Sequence, residues 1–339
     1  MERFSLLIWM LAAEVLIVIA LFVGISLHRT YTALLTQTRA QRTALLGYYF
    51  LSLLEEKKPY EPHPLFARSG WRKSLLEVLE SYNRRLKGDE WSQVREAAVE
   101  DLLLPRARRW ARSLFWRRRN FAARTFALCP RAADEAPILN LMRDSHFLVR
   151  SVASLAAVRL EDRTGIELIL RAMSAEPGYA LYFYRDVLLQ GSRNVFVLVV
   201  ELASQPALHL ACLDLLAAQS WGIPIPFLKD DLVSPHPRTR HLALKILIRN
   251  PLPDSAPVFL QAASDPDPYV RATAMNGLLL FPSDETLVVL EKGLSDPIWD
   301  VRVEAGRTLK RRGEQGLAIL ARQTTEPAHS AAHYAQVFG

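Results

Sequence analysis

Few residues in this chain have the type and spacing that covalent chemistry needs. Cys129 and Cys212 each lie in an Ala/Leu-rich helical stretch with no CxxC or metal-ligand spacing nearby. Both read as small apolar core residues; no disulfide framework is expected, which fits a reducing compartment. His329 and His333 stand four apart and could share a helix face, but two histidines without a third ligand make no metal site. His236 and His241 flank a turn and are no stronger. No GxGxxG, P-loop, GxSxG or HExxH occurs. No catalytic, cofactor-binding or metal-binding residue is therefore assigned, and neither a cofactor nor a small-molecule substrate is expected.

Binding is the chemistry these residues favour. Residues 106–119, RARRWARSLFWRRR, hold seven arginines together with Trp110, Phe115 and Trp116. Read as one helix, Ala107, Trp110, Ala111, Leu114 and Phe115 share a face, leaving Arg108, Arg109 and Arg112 to the other. Such a basic amphipathic helix suits an anionic leaflet, at about 1 kcal/mol per well-placed Lys or Arg. Arg106, Arg108, Arg109, Arg112, Arg117 and Arg118 are the candidates for contact with anionic lipid or an acidic partner. The alternative is an ordinary helix whose arginines are solvated or paired with acids elsewhere. The overall charge of +7 is uneven: residues 1–131 hold 22 Lys/Arg against 12 Asp/Glu, and residues 132–339 hold 20 against 23. The net acidic remainder argues against nucleic acid as the counterpart.

The second unusual residue is Glu14, the only ionisable side chain in residues 4–27, FSLLIWMLAAEVLIVIALFVGISL. As a helix this stretch is roughly 36 Å long, enough to cross a hydrocarbon layer of about 30 Å. A cleaved signal peptide would have an apolar core of about 7–15 residues and an Ala-x-Ala-like site, which residues 24–28 do not supply. Arg29, Arg39 and Arg42 follow the span with no acid before Glu55, so the N-terminus is expected outside and the body in the cytoplasm. Near the bilayer centre an acid costs about 2.5–3.5 kcal/mol. Glu14 is read as facing another transmembrane helix and paired there, with Ala20 and Gly24 as a small-residue face allowing close approach. The alternative is a protonated Glu that is merely tolerated.

The remaining chain, half apolar overall and long enough for a sizeable core, repeats itself. Asp-x4-Val-Arg occurs at Asp89/Arg95, Asp144/Arg150, Asp265/Arg271 and Asp296/Arg302, each Arg followed after three residues by Ala98, Ala153, Ala274 or Ala305. A variant, Ser234 with Thr239-Arg240 and Ala243, puts Arg240, Arg271 and Arg302 at intervals of 31 residues; a weaker copy at Arg119 stands 31 before Arg150. Between Arg150 and Arg240 there is room for two degenerate units, with turns at Glu176-Pro177 and around Ser204-Gln205-Pro206. The Asp or Ser is placed to cap a helix, with Pro266 and Pro297 at the first helical position. Val270, Ala274 and Leu278 then share a face, as do Val301, Ala305 and Leu309. Each unit is a helical hairpin that buries its stripe only by stacking on the next.

These motifs resemble the HEAT repeat family over roughly residues 70–325, best at Asp144/Arg150, Asp265/Arg271 and Asp296/Arg302. The resemblance implies a right-handed superhelix of about six to eight hairpins. It also implies that Asp144, Arg150, Arg240, Asp265, Arg271, Asp296 and Arg302 form a structural ladder between units and not a binding site. The spacing from Arg95 to Arg119 is 24, and the units near Tyr182 and Leu210 lack the Arg, so the ladder is not expected to be continuous. HEAT-like iron hydroxylases use His-Glu pairs, and no His-Glu dipeptide occurs here. A bilin-lyase-type enzyme and a DNA-binding solenoid are the alternatives.

The expected architecture is all-α: a transmembrane anchor (1–28), a juxtamembrane helical linker or N-terminal cap (29–69), the solenoid (70–325) and a C-terminal tail (326–339). The expected function is a non-catalytic scaffold or regulatory subunit in a bacterial inner-membrane complex. It would span once, bind an integral-membrane protein and anionic lipid, and serve a membrane glycosyltransferase or another envelope-biosynthesis enzyme.

Overall fold

A computed structural model describes the backbone of residues 2–338 apart from 67, 69, 176, 177 and 220, and the side chains of these apart from 2–13, 15 and 179. The expected turn at Glu176-Pro177 lies outside the described residues. The described chain is helical without a strand, and it divides into two compact units, Met1–Ala156 and Ala157–Gly339.

The first unit begins with α1 (Glu2–Glu55), 54 residues without a break. It is long and apolar enough to cross a membrane, and its two halves live in different surroundings. From Leu16 to Leu27 the apolar side chains are exposed all round, Leu16 at 68% and Phe22 at 71%, which water does not favour and lipid does. At its other end Leu46, Phe50 and Leu53 are buried. They belong to the core shared with α2 (Arg72–Arg85) and α3 (Asp89–Leu102), where Phe50 meets Trp91 edge-on at 6.2 Å. Arg42 donates to the Gly70 carbonyl at 2.8 Å, and Arg39 pairs with Glu77. Next come α4 (Leu104–Trp110), α5 (Trp116–Leu128), α6 (Glu135–Leu141) and α7 (Phe147–Leu160), the last running past the boundary.

The second unit continues with α8 (Arg163–Ala175), α9 (Tyr179–Leu189), α10 (Arg193–Leu202) and α11 (His209–Ala218). In α8, Ile166, Ile169, Leu170 and Met173 recur at helical spacing and are buried. The α10 helix starts where Ser192 Oγ accepts the Asn194 N–H at 3.1 Å. Four hairpins follow: α12 (Leu228–Leu232) with α13 (Pro237–Arg249), α14 (Ala256–Ala262) with α15 (Pro268–Gly277), α16 (Asp284–Gly293) with α17 (Trp299–Arg311), and α18 (Glu314–Ala321) with α19 (Ala328–Phe338). The second helices stack side by side, α13 on α15 and α15 on α17. Ala243, Ala274 and Ala305, one per helix at the 31-residue interval, are fully buried and let the neighbours approach. Val270, Leu278, Val301 and Leu309 fill one apolar cluster with Phe259 and Leu290, and each such side chain withdrawn from water contributes about 1.5–3 kcal/mol.

Two local expectations change. The repeat helices begin at Pro268 and Trp299, later than the capping Asp265 and Asp296. Asp265 Oδ1 accepts the Asp267 N–H and Asp296 Oδ1 accepts the Ile298 N–H, both at 2.9 Å. Each therefore caps the turn ahead of the helix, so Pro266 lies in that turn and Pro268 takes the first helical position. In the segment from residue 326, expected as a tail, α19 packs Ala328, Ala331, Ala332 and Ala335 against the apolar cluster.

Candidate functional site

One device recurs at the repeat turns. Arg271 Nη1 donates to two carbonyls of its own turn, Asp265 at 2.9 Å and Pro266 at 3.0 Å. Its Nε and Nη2 fork onto the carboxylate of Asp296, 25 residues on, at 2.8 and 2.9 Å. Arg240 does the same with Ser234, Pro235 and Asp265, and Arg119 with Ser113, Leu114 and Asp144. Arg150 closes its own turn through the Asp144 and Ser145 carbonyls, and Arg302 through those of Asp296 and Pro297. The first motif copy departs: Asp89 opens α3, while Arg95 bonds Asn83 at 2.6 Å and Glu96 at 3.1 Å.

One rung is only weakly marked in the sequence and another is hidden there. Arg119 belongs to the basic run, and Ser113, 31 residues before Asp144, takes the acid's place in its turn by accepting the Phe115 N–H at 3.3 Å. His209, 31 residues before Arg240, stands where a guanidinium is expected. Its Nδ1 meets the Ala203 carbonyl six residues back, and its Nε2 meets Asp231 Oδ1, both at 2.8 Å.

Burial alone would raise the carboxyl pKa values of Asp144, Asp265 and Asp296. The arginine forks, the turn N–H groups and the nearby positive charges together outweigh it and hold all three below their ordinary 3.8. A depressed folded value adds stability that is complete above the unfolded value and is lost as pH falls through the folded one. Melting temperature is therefore expected to hold from neutrality down to about pH 4 and then to drop. Asp265→Asn should start lower and fall less steeply; an equal slope in the variant would remove the ladder from the acid response.

The basic run is not the single helix expected. It is α4, a turn over residues 111–115, and α5, because the Ser113 repeat turn interrupts it. Leu114, at 95% exposed, and Phe115, at 64%, therefore leave the apolar face assigned to them. The six arginines also part company. Arg108 forks onto the buried Asp134 at 2.6 and 3.0 Å and serves the fold. Arg117 lies over Trp116, itself stacked on His146 at 4.0 Å. Arg112 sits exposed in the turn. Arg106 and Arg118 both lie over the Trp110 ring, at 5.4 and 5.7 Å from its centroid. With Arg109, Trp110 and Ser113 they line an open cavity of about 410 Å³. Burial, then the charges of Arg72, Arg109 and Arg118, push the Arg106 pKa down. Among the described residues no carboxylate pairs with Arg106, Arg109 or Arg118.

Glu14 is exposed on α1 without a partner among the described residues; Ala20 and Gly24 are exposed too, with nothing within 4 Å of a Cβ built on Gly24. Cys129 and Cys212 are buried thiols, and burial raises both pKa values, Cys212 to about 12. His329 and His333 stack at 6.4 Å on α19, and among the described residues no group of three His, Cys, Asp or Glu is placed to hold a metal.

Stacked hairpins tied by a repeating Arg–Asp fork define an α-helical repeat protein. Residues 225–310 and 256–335 match the family of HEAT repeats, so this C-terminal stretch carries HEAT repeats. None of the curated proteins matches the chain.

Proposed function

We propose that this protein is a membrane-tethered scaffold that holds protein partners along its helical repeats. The observation that carries the reading is the row of HEAT hairpins at residues 225–335, since serial stacking yields a long docking face. The exposed apolar half of α1 supports the tether, and the packing of its other end into the first unit supports a stiff link to it. In this reading α1 crosses a bacterial inner membrane once. The N-terminus lies outside and both units lie in the cytoplasm, following the arginines after the span. The partner is an integral-membrane protein, for which a glycosyltransferase or another envelope-biosynthesis enzyme is our specific candidate. Glu14, Ala20 and Gly24 form the intramembrane contact, and Arg106, Arg109, Arg112, Arg117 and Arg118 of the basic run meet anionic lipid.

Purifying the full chain in mild detergent and identifying co-eluting proteins by mass spectrometry tests this. A stoichiometric integral-membrane protein is expected; a solitary chain that turns over a metabolite would reverse the assignment. Glu14→Leu should cut partner recovery about tenfold, the effect of losing roughly 1–2 kcal/mol of interhelical hydrogen bonding. Unchanged recovery would end the pairing role of Glu14.

A further inference from the structure

The cavity between α4 and α5 calls for a ligand more specific than a charged surface. Arg106, Arg109 and Arg118 line it, and no acid among the described residues neutralises them. Arg72 adds a further positive charge near Arg106. A fold gains nothing from gathering guanidiniums around an open space, because like charges repel. An anion in that space removes the penalty. Elsewhere in the same run the chain supplies a carboxylate where a guanidinium serves the fold: Asp134 for Arg108 and Asp144 for Arg119. Here it supplies none.

The lining also says which anion. Guanidinium forks match phosphate oxygens in pairs, and stacking on a ring holds a fork in place before binding, which reduces the ordering cost. Trp110 does this for Arg106 and Arg118. Ser113 Oγ accepts the Phe115 N–H, which leaves its proton free to be donated to an oxygen in the cavity. Three forks and one hydroxyl suit a phosphoryl group of charge near −2 with three terminal oxygens better than a diester of charge −1.

We infer that Arg106, Arg109, Arg118 and Ser113 form a phosphoryl-binding pocket that prefers a phosphomonoester or diphosphate to a phosphodiester. This rests on the basic-surface reading above and narrows it. The group can come from a lipid headgroup or from a soluble phosphoryl compound, and the two are separable by experiment.

The test is calorimetric titration of the full chain in neutral detergent with dioctanoyl phosphatidic acid, dioctanoyl phosphatidylglycerol and inorganic pyrophosphate. Phosphatidic acid is expected to bind about tenfold tighter than phosphatidylglycerol. Weak pyrophosphate binding would mark a lipid source, and equal or tighter binding a soluble one; either is compatible with the pocket. Arg106→Gln/Arg109→Gln/Arg118→Gln should abolish the preference, while Arg112→Gln, outside the cavity, should keep it. If the triple Gln variant is misfolded by circular dichroism, Arg106→Lys/Arg109→Lys/Arg118→Lys replaces it; that variant should hold phosphatidylglycerol and lose most of the preference. Equal affinity of the unaltered chain for both lipids would overturn the pocket while leaving a basic surface in place. No binding of either lipid would overturn the surface as well.

Discussion

Arg271→Met is expected to destabilise the C-terminal hairpins by about 3 kcal/mol, among the largest effects of any single charge removal in the chain. Arg271 ties three groups together: two carbonyls of its own turn and the carboxylate of the next. Its side chain is 13% exposed and that of Asp296 is 11%. Removing the guanidinium strands a nearly buried carboxylate with the Ile298 N–H as its remaining donor, and leaves two carbonyls short of theirs. Arg271→Lys should recover little, because an ammonium cannot make the fork and reach the turn together. Arg271→Met/Asp296→Leu should recover part of the loss, since the stranded charge goes with its partner. Hydrogen exchange of α15 and α17 amides is the measurement. A loss of about 3 kcal/mol appears as more than a hundredfold faster opening, whereas Arg322→Met, which breaks an exposed pair with Glu291, should leave the rates unchanged. Equal rates in Arg271→Met and the unaltered chain would reduce the ladder to decoration.

The same pairs explain what the sequence made legible. Asp265, Arg271, Asp296 and Arg302 stood out because the fork needs an acid and a guanidinium at a constant interval, and polar residues at a fixed period are visible in a single chain. His209 was hidden because an imidazole can reach one carbonyl and one carboxylate with its two nitrogens, so the contact survives a change of residue type that erases the motif. The basic run hides its break for the opposite reason. Every residue from Arg106 to Arg119 tolerates a helix, and nothing local demands a break. The break comes from Arg119 reaching the Ser113 and Leu114 carbonyls while it holds Asp144, which is tertiary information. Ser113 substitutes for the acid as Ser234 does, at the point where the 31-residue period puts a turn. The cavity was legible as charge and illegible as shape. Composition showed seven arginines, and the fold decided that two of them serve its own carboxylates while three surround an open space.

Gly316→Ala is expected to cost about 3 kcal/mol or more, although the same change in an ordinary helix gains about 1 kcal/mol from reduced chain entropy. Gly316 lies buried on α18 where that helix meets the end of α17. A methyl group there would fall inside the van der Waals shell of the Leu309 carbonyl carbon and oxygen. These are main-chain atoms of a packed helix and cannot swing aside as a side chain does, so α18 itself must move off. That movement opens Ile319 and Leu320, which belong to the cluster shared with α17 and α19. Gly313, three residues earlier, provides the contrast. Its φ of +69° with ψ of −143° is a backbone region open essentially to glycine, and nothing lies within 4 Å of a Cβ built on it, so Gly313→Ala pays for the backbone conformation alone, about 2 kcal/mol. Hydrogen exchange of the α18 amides should therefore quicken by more than roughly a hundredfold for Gly316→Ala and about thirtyfold for Gly313→Ala. If the two variants exchange alike, close main-chain contact does not hold the last hairpin, and the burial of α19 alone would have to account for its order.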